Sequence, residues 1–398
     1  MNATNTMNTE YRLVVLGAGY TGMLAAIRLA RRTRNRTVRI TLVDPSARFT
    51  ERLRMHQIAT GQELAEYRIA DILDGTGIEF VQGRATAIDA IAGRVTVDGT
   101  ATLRYDELIY ALGSGTDSSA IPGAAEHAWT LNDPRSAHRF AERLTVAEAR
   151  GGAVAVCGAG LTGIEAATEI AEQHPGLRVT LVSSAEPGSM MGEKARAYLN
   201  RALDRLGITR AIGQRITKVL PDAVELADGT LIPADLTLTT TGVRVPPLAE
   251  ESGIATDQRG RVVVDATLRS VSHPNIHAIG DAAAVRQPWG EIHGTCQSGM
   301  PTAAYVADAI VRRLRGKKVA PFRFGYIHQP VGLGRKDAVI QFTKADDTPG
   351  RFYLTGKAAV LYKETVSSSP VPIFGLSRRF AAVPVQPYKG GRATAHLA

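Results

Sequence analysis

Two short runs carry the residue types best suited to holding a phosphate. Gly17-Ala18-Gly19-Tyr20-Thr21-Gly22 and Gly158-Ala159-Gly160-Leu161-Thr162-Gly163 both have the spacing GxGxxG. The first glycine of such a run (Gly17, Gly158) permits a tight turn, and the second (Gly19, Gly160) lets a pyrophosphate approach the backbone. The third (Gly22, Gly163) lets the following helix pack on its strand. The N-terminus of that helix then offers free N–H groups and the positive end of a dipole. About 20 residues past the first run comes Asp44, a carboxylate that can hold both hydroxyls of a ribose. The second run has no acid at the matching place: its unit ends in Ser183-Ser184, with Glu186, Lys194 and Arg196 the nearest charges. Serines tolerate a 2′-phosphate that an acid would repel, so the nucleotide here is NADH or NADPH. Only the second run continues into a glutamate, Glu165. With Glu169, one turn on, it would complement the dipole at a helix start.

These residues need strands and helices to position them. "YRLVVL" at 11–16, the first glycine run, "MLAAIRLARRT" and "VRITLVD" at 38–44 read as strand, turn, helix and strand, a βαβ unit. The same order returns in "GAVAVCGAGLTG", "IEAATEIAEQH" and "LRVTLVSS". Alternating stretches at 78–113 and 221–242 read as β-hairpins. A helix is expected at about 298–315, ended by Gly316. Beyond Phe322 a smaller α+β segment follows, with a loose tail from Pro387. The fold class is therefore α/β, with two Rossmann-like dinucleotide-binding domains and a smaller C-terminal α+β domain. The expected boundaries are 1–122 and 243–322 for the first domain, 123–242 for the second and 323–398 for the last.

Composition sets the outer limits. The 398 residues suit two or three domains, and no run of 18 apolar residues could span a bilayer. The N-terminus lacks the pattern of a secretory leader, and Cys157 and Cys296 form no metal or redox motif, which favours the cytoplasm. The net charge of +9 is concentrated in part between Arg312 and Lys336, where eight Lys or Arg meet no acid. This stretch is either a helix end complemented by cations or a partner-binding patch, and no aromatic-rich nucleic-acid motif accompanies it.

Two glycine units separated by hairpins, "LRYDELIYALGSG" before the second and "NIHAIGDAAA" after it, resemble the two-dinucleotide-binding-domain flavoproteins over residues 11–325. The likeness is greatest to type II NADH dehydrogenases and apoptosis-inducing-factor-like NAD(P)H oxidoreductases. That resemblance implies FAD on the first glycine run, with Asp44 on its ribose and backbone near Ala85 at its adenine. It implies a close pass of the chain at Gly113, and Asp281 on the ribitol. The helix after "CQSG" would point its positive end at the flavin, assisted by Gln297; helix capping is the alternative for that residue. NAD(P)H would take the second run, with Glu165 near the nicotinamide.

The segment "FTERLRMHQIATG" at 49–61 lacks the CxxxxC pair of disulfide reductases and resembles a flavin-flanking segment of type II dehydrogenases. Arg52, Arg54 and His56 are there either cations beside the flavin or charge on a surface loop. "IHGTCQ" at 292–297 keeps Gln297 of a quinone-channel pattern but carries His293 in place of its first glutamine. Lys363 resembles a lysine kept near the quinone side of the flavin. The expected activity is hydride transfer from NAD(P)H to a small acceptor, first of all a quinone, with Glu165, Lys363 and His293 as candidate catalytic groups. A tailoring oxidoreductase acting on an organic substrate and a redox-sensing interaction protein are the alternatives. At most a peripheral contact with a membrane is expected, because the C-terminal candidate helix is interrupted by Pro370 and Pro372. A homodimer is compatible with all of this.

Overall fold

The computed structural model describes residues 10–34, 36–380, 383 and 392–393. Residues 1–9 lie outside it. So does the tail from Pro387, except that Arg392–Ala393 pair antiparallel with Arg323–Phe324.

Two parallel five-stranded sheets organise the chain. The first runs in the order Ile276–Ala278, Glu107–Tyr110, Tyr11–Leu16, Val38–Asp44, Glu79–Gln82. The second runs Ala128–Trp129, Leu236–Thr239, Ala153–Cys157, Arg178–Ser183, Thr209–Ile212. Strand order reverses direction beside the central strand of each sheet, the place where open sheets of this kind bind their ligands. Both glycine runs leave the central strand at that place.

Helix α1 (Tyr20–Thr33) follows the first run and α2 (Leu161–Gln173) follows the second. Helix α3 (Cys296–Leu314) packs along α1; it starts two residues earlier than its sequence suggests because Thr295 and Ser298 form a capping box. Antiparallel three-stranded sheets form at 85–104 and 216–233, but the outer parts of the stretches read as hairpins, Glu79–Gln82, Glu107–Tyr110 and Leu236–Thr239, are parallel strands of the two main sheets.

The C-terminal part holds a three-stranded antiparallel sheet, His328–Gly332, Ala338–Thr343 and Pro349–Thr355. Helices α4 (Gly356–Ser368) and α5 (Pro370–Arg379) follow it. The two prolines, expected to interrupt a single helix, instead open a second: Pro370 occupies the first helical position, where its missing N–H costs no hydrogen bond. This part also ties both nucleotide folds together. Val331, Leu333 and Val339 join the core of the second fold, while Phe374 of α5 joins that of the first and meets Phe49 edge-on at 5.4 Å.

Candidate active site

The two glycine turns obey the same internal geometry. A Cβ on Gly22 would lie 1.8 Å from the Gly17 carbonyl, and one on Gly163 would lie 1.8 Å from the Gly158 carbonyl. Gly17 and Gly158 take φ of 98° and 111°, a region closed to most side chains. Gly19 and Gly160 differ from these four. Each has an ordinary φ of −70°, and an added Cβ would meet nothing within 4 Å. Neither turn nor packing requires glycine at these two places, so close approach by a phosphate is the reason left. Neither helix start carries a side-chain cap, which leaves its first N–H groups to such a ligand.

Around the first turn the predicted residues converge. Asp44 accepts hydrogen bonds from the N–H of Ala18 at 2.7 Å and of Ser46 at 2.8 Å, which fixes its carboxylate beside the turn. Asp281 accepts from the Ser114 hydroxyl at 2.7 Å, and Arg52 donates to the Ser114 carbonyl. Gly113 has φ of 65° with open space where a Cβ would stand. Ala85 opens a hairpin strand and is half-buried. Thr21 is wedged where side chains on Gly280 or Gly299 would clash with it, joining the start of α1 to that of α3.

The remaining predicted residues have the following surroundings. Gln297 does not cap α3; its Oε1 accepts from the Ile327 N–H at 2.7 Å and its Nε2 donates to the His328 carbonyl at 2.9 Å. His293, its side chain 58% exposed, pairs with Asp347 at 2.8 Å and stacks on Tyr326. Arg54 donates to Gln57, with Glu51 and Glu364 each 3.9 Å away. His56 is no surface cation: it is buried, and burial pulls its pKa down to about 4, so the ring is neutral. Gln57 is also buried, and its Nε2 has no protein partner.

The structure brings Glu165 and Lys363 together across 198 residues of sequence. Lys363 Nζ lies 3.0 Å from Glu165 Oε1, which also accepts the Gly332 N–H at 3.0 Å. Both side chains are buried. Burial opposes the charge on Glu165, but the Lys363 ammonium and the Gly332 N–H outweigh it and hold the carboxyl below its ordinary range. Along α2, Glu169 accepts from Gln62 Nε2 at 2.8 Å and lies 3.6 Å from Arg335. In Glu169 burial wins and raises the pKa to about 7. The contacts described for His293 do not include this cluster.

Sequence reading missed the partners of this cluster. Gln57 and His56 carried one faint signal: they are polar residues enclosed by the apolar Met55, Ile58 and Ala59. The two cysteines are free, and burial pushes each thiol up to about 12. Neither is a thiolate near neutrality.

This fold and site define a two-nucleotide flavoprotein. The family model for pyridine nucleotide-disulphide oxidoreductases matches residues 11–308, and the chain belongs to that family. It is an FAD-dependent NAD(P)H oxidoreductase. Among curated relatives, a NADH dehydrogenase-like protein of Mycobacterium tuberculosis is 31% identical over 350 residues, covering 82% of this chain and 87% of that protein. The type II NADH:quinone oxidoreductase of Staphylococcus haemolyticus is 27% identical over 90% of this chain and 95% of its own. Among solved structures, the sulfide:quinone oxidoreductase of Aquifex aeolicus has a TM-score of 0.80 at 19% identity, covering 93% and 92% of the two chains.

Proposed function

We propose that this protein takes hydride from NAD(P)H and passes the electrons to a quinone. The observation that carries this reading is the buried Glu165–Lys363 pair, held between the helix of the second nucleotide fold and the C-terminal helix α4. FAD, when bound, supplies the two-electron exchange between nicotinamide and acceptor. Gly17, Gly19 and Gly22 with the start of α1 would hold its pyrophosphate, Asp44 its ribose, and Ala85, Gly113 and Asp281 the rest of its length. The open approach at Gly19 and the unpartnered Gln57 Nε2 fit such a group. Gly158, Gly160 and Gly163 would hold the nicotinamide nucleotide. The start of α3 with its dipole and Gln297, together with Arg52 and Arg54, would flank the flavin.

The domain boundaries proposed for this reading are 1–122 with 243–322, then 123–242, then 323–398. Among the described residues no helix is long and apolar enough to cross a membrane. Exposed Phe352, Leu361, Leu376 and Phe380, with Arg351, Lys357, Arg378 and Arg379 close to them in sequence, favour a peripheral contact with an anionic bilayer.

Anaerobic mixing with NADH and with NADPH, followed by oxidation with a short-chain quinone, tests the proposal. Bleaching of the flavin by a nucleotide and its return with quinone are expected. A flavin bleached by neither nucleotide overturns it, and co-sedimentation with anionic vesicles checks the membrane contact.

A further inference from the structure

Quinone reduction raises a proton balance that the pair alone does not close. The overall change, NAD(P)H + H⁺ + quinone → NAD(P)⁺ + quinol, consumes one proton beyond the hydride. That proton must enter from solvent through the protein. Glu165 is buried, and its Oε1 is already occupied by Lys363 and the Gly332 N–H. Its Oε2 faces His56 Nδ1 at 3.7 Å, while His56 Nε2 faces Glu169 Oε1 at 3.9 Å. The imidazole thus stands between carboxylates one turn apart on α2. Both gaps exceed a hydrogen bond, and a small ring movement or one water closes each. His56 and Glu169 line a small pocket with Arg335, Lys363 and Glu364, in which the Arg335 and Glu364 side chains, paired at 2.8 Å, are partly exposed.

We propose that Glu169 and His56 form a proton line from this pocket to Glu165, serving acceptor reduction. The inference rests on the quinone reading given above. An imidazole suits the middle position because it can accept a proton at Nε2 and release another from Nδ1 without gaining net charge. Glu165 is held below its ordinary range while Glu169 is raised, so the transfer runs uphill and is drawn only by protonation of the reduced acceptor. Burial keeps His56 neutral, so one ring nitrogen is a free acceptor, and it pushes Glu169 up to about 7, so a proton is available near neutrality. The charged groups facing His56 are Glu165 and Glu169 from α2, Lys363 and Glu364 from α4, and Arg335 from the loop before Ala338. Those facing Glu169 are His56, Arg335, Glu172 and Lys363, with Gln62 as its neutral partner. His56 and Glu169 are positioning residues here, acting through Glu165.

The test compares two acceptors in the flavin-loaded enzyme. Quinone takes up protons on reduction; ferricyanide takes electrons alone. For His56→Gln and Glu169→Gln, the ratio of quinone to ferricyanide turnover with NADH or NADPH is expected to fall by about tenfold or more. In the parent enzyme the quinone rate should decline as pH rises through about 7, where Glu169 loses its proton, and Glu169→Gln should lack that limb. Thermal melting and flavin content identify a variant that has lost its fold, in which case the other variant decides. Ratios within about twofold of the parent overturn the line. A parent enzyme that reduces ferricyanide but no quinone overturns the acceptor reading instead, and the line with it.

Discussion

The first and second glycine turns are built alike yet surrounded differently. In both, the third glycine lies against the carbonyl of the first, and the second glycine faces open space. Around the first turn everything is fixed. Asp44 is anchored by two N–H groups, Thr21 locks against Gly280 and Gly299, and α1 is covered by α3 and α5. Around the second, the matching strand ends in Ser183, whose hydroxyl accepts only a 3.2 Å bond from Ala185 N–H among its described contacts. Helix α2 instead turns Glu165 and Glu169 toward His56, Arg335 and Lys363. The proposed division, a resident cofactor on the first turn and an exchanging one on the second, rests on this difference in what the flank of each helix meets.

The sharpest way to break this comparison is to block each turn in the same way. Gly22→Val must displace the Gly17 carbonyl, and a stability loss of about 3 kcal/mol or more is expected together with isolation of colourless protein. Gly163→Val should keep its yellow flavin and lose bleaching by NADH and NADPH. Absorption spectra before and after nucleotide addition decide the matter; loss of flavin from both variants would refute the division.

The next effect concerns α2. Lys363→Met leaves Glu165 buried without its cation, which should cost about 3–5 kcal/mol near neutral pH in denaturant unfolding. Glu165 has its carboxyl lowered in the folded state, so its stabilising contribution is present above the ordinary glutamate range and lost as pH falls through the folded value. The gap between parent and variant should therefore narrow on acidification. A gap that stays constant with pH would show that the ion pair is not its source.

A smaller effect is expected at the first turn from Asp44→Asn. With Asp44 in its proposed place on the flavin's ribose, removing the charge should weaken that hold by about 1–3 kcal/mol, seen as faster flavin release on dilution. The corresponding change Ser183→Ala should leave flavin retention untouched. Smallest of all is His293→Ala. Its pair with Asp347 is largely exposed on the histidine side, and unfolding should shift by no more than ~1 kcal/mol.

Much of the fold was legible because its signals are local. Each glycine run sits between an apolar strand and a helical pattern, and Asp44 ends the very next strand. The hairpins likewise show their alternation within a few residues. The cluster on α2 was legible only in part. Glu165 and Lys363 could each be singled out, but no periodicity links residues so far apart, and their contact depends on how the C-terminal sheet seats on the second fold. His56 looked like a loop cation because its sequence neighbours Arg52 and Arg54 are charged. Burial beneath α4 and against α2 reverses that. His293 followed from its position in a motif, whereas its real environment is set by Asp347 and Tyr326, which arrive from the C-terminal part.

The strand Ile276–Ala278 completes the first sheet beside Glu107–Tyr110, and α3 then covers α1. As the chain is synthesised from its N-terminus, the earliest glycine turn is made first, yet its sheet cannot close until residues 276–314 have emerged. The five strands of the second sheet, all within residues 128–239, are complete before then. Long-range closure of this kind is slow. The half of the molecule that begins first thus finishes last, and flavin capture becomes a late event in the birth of the protein.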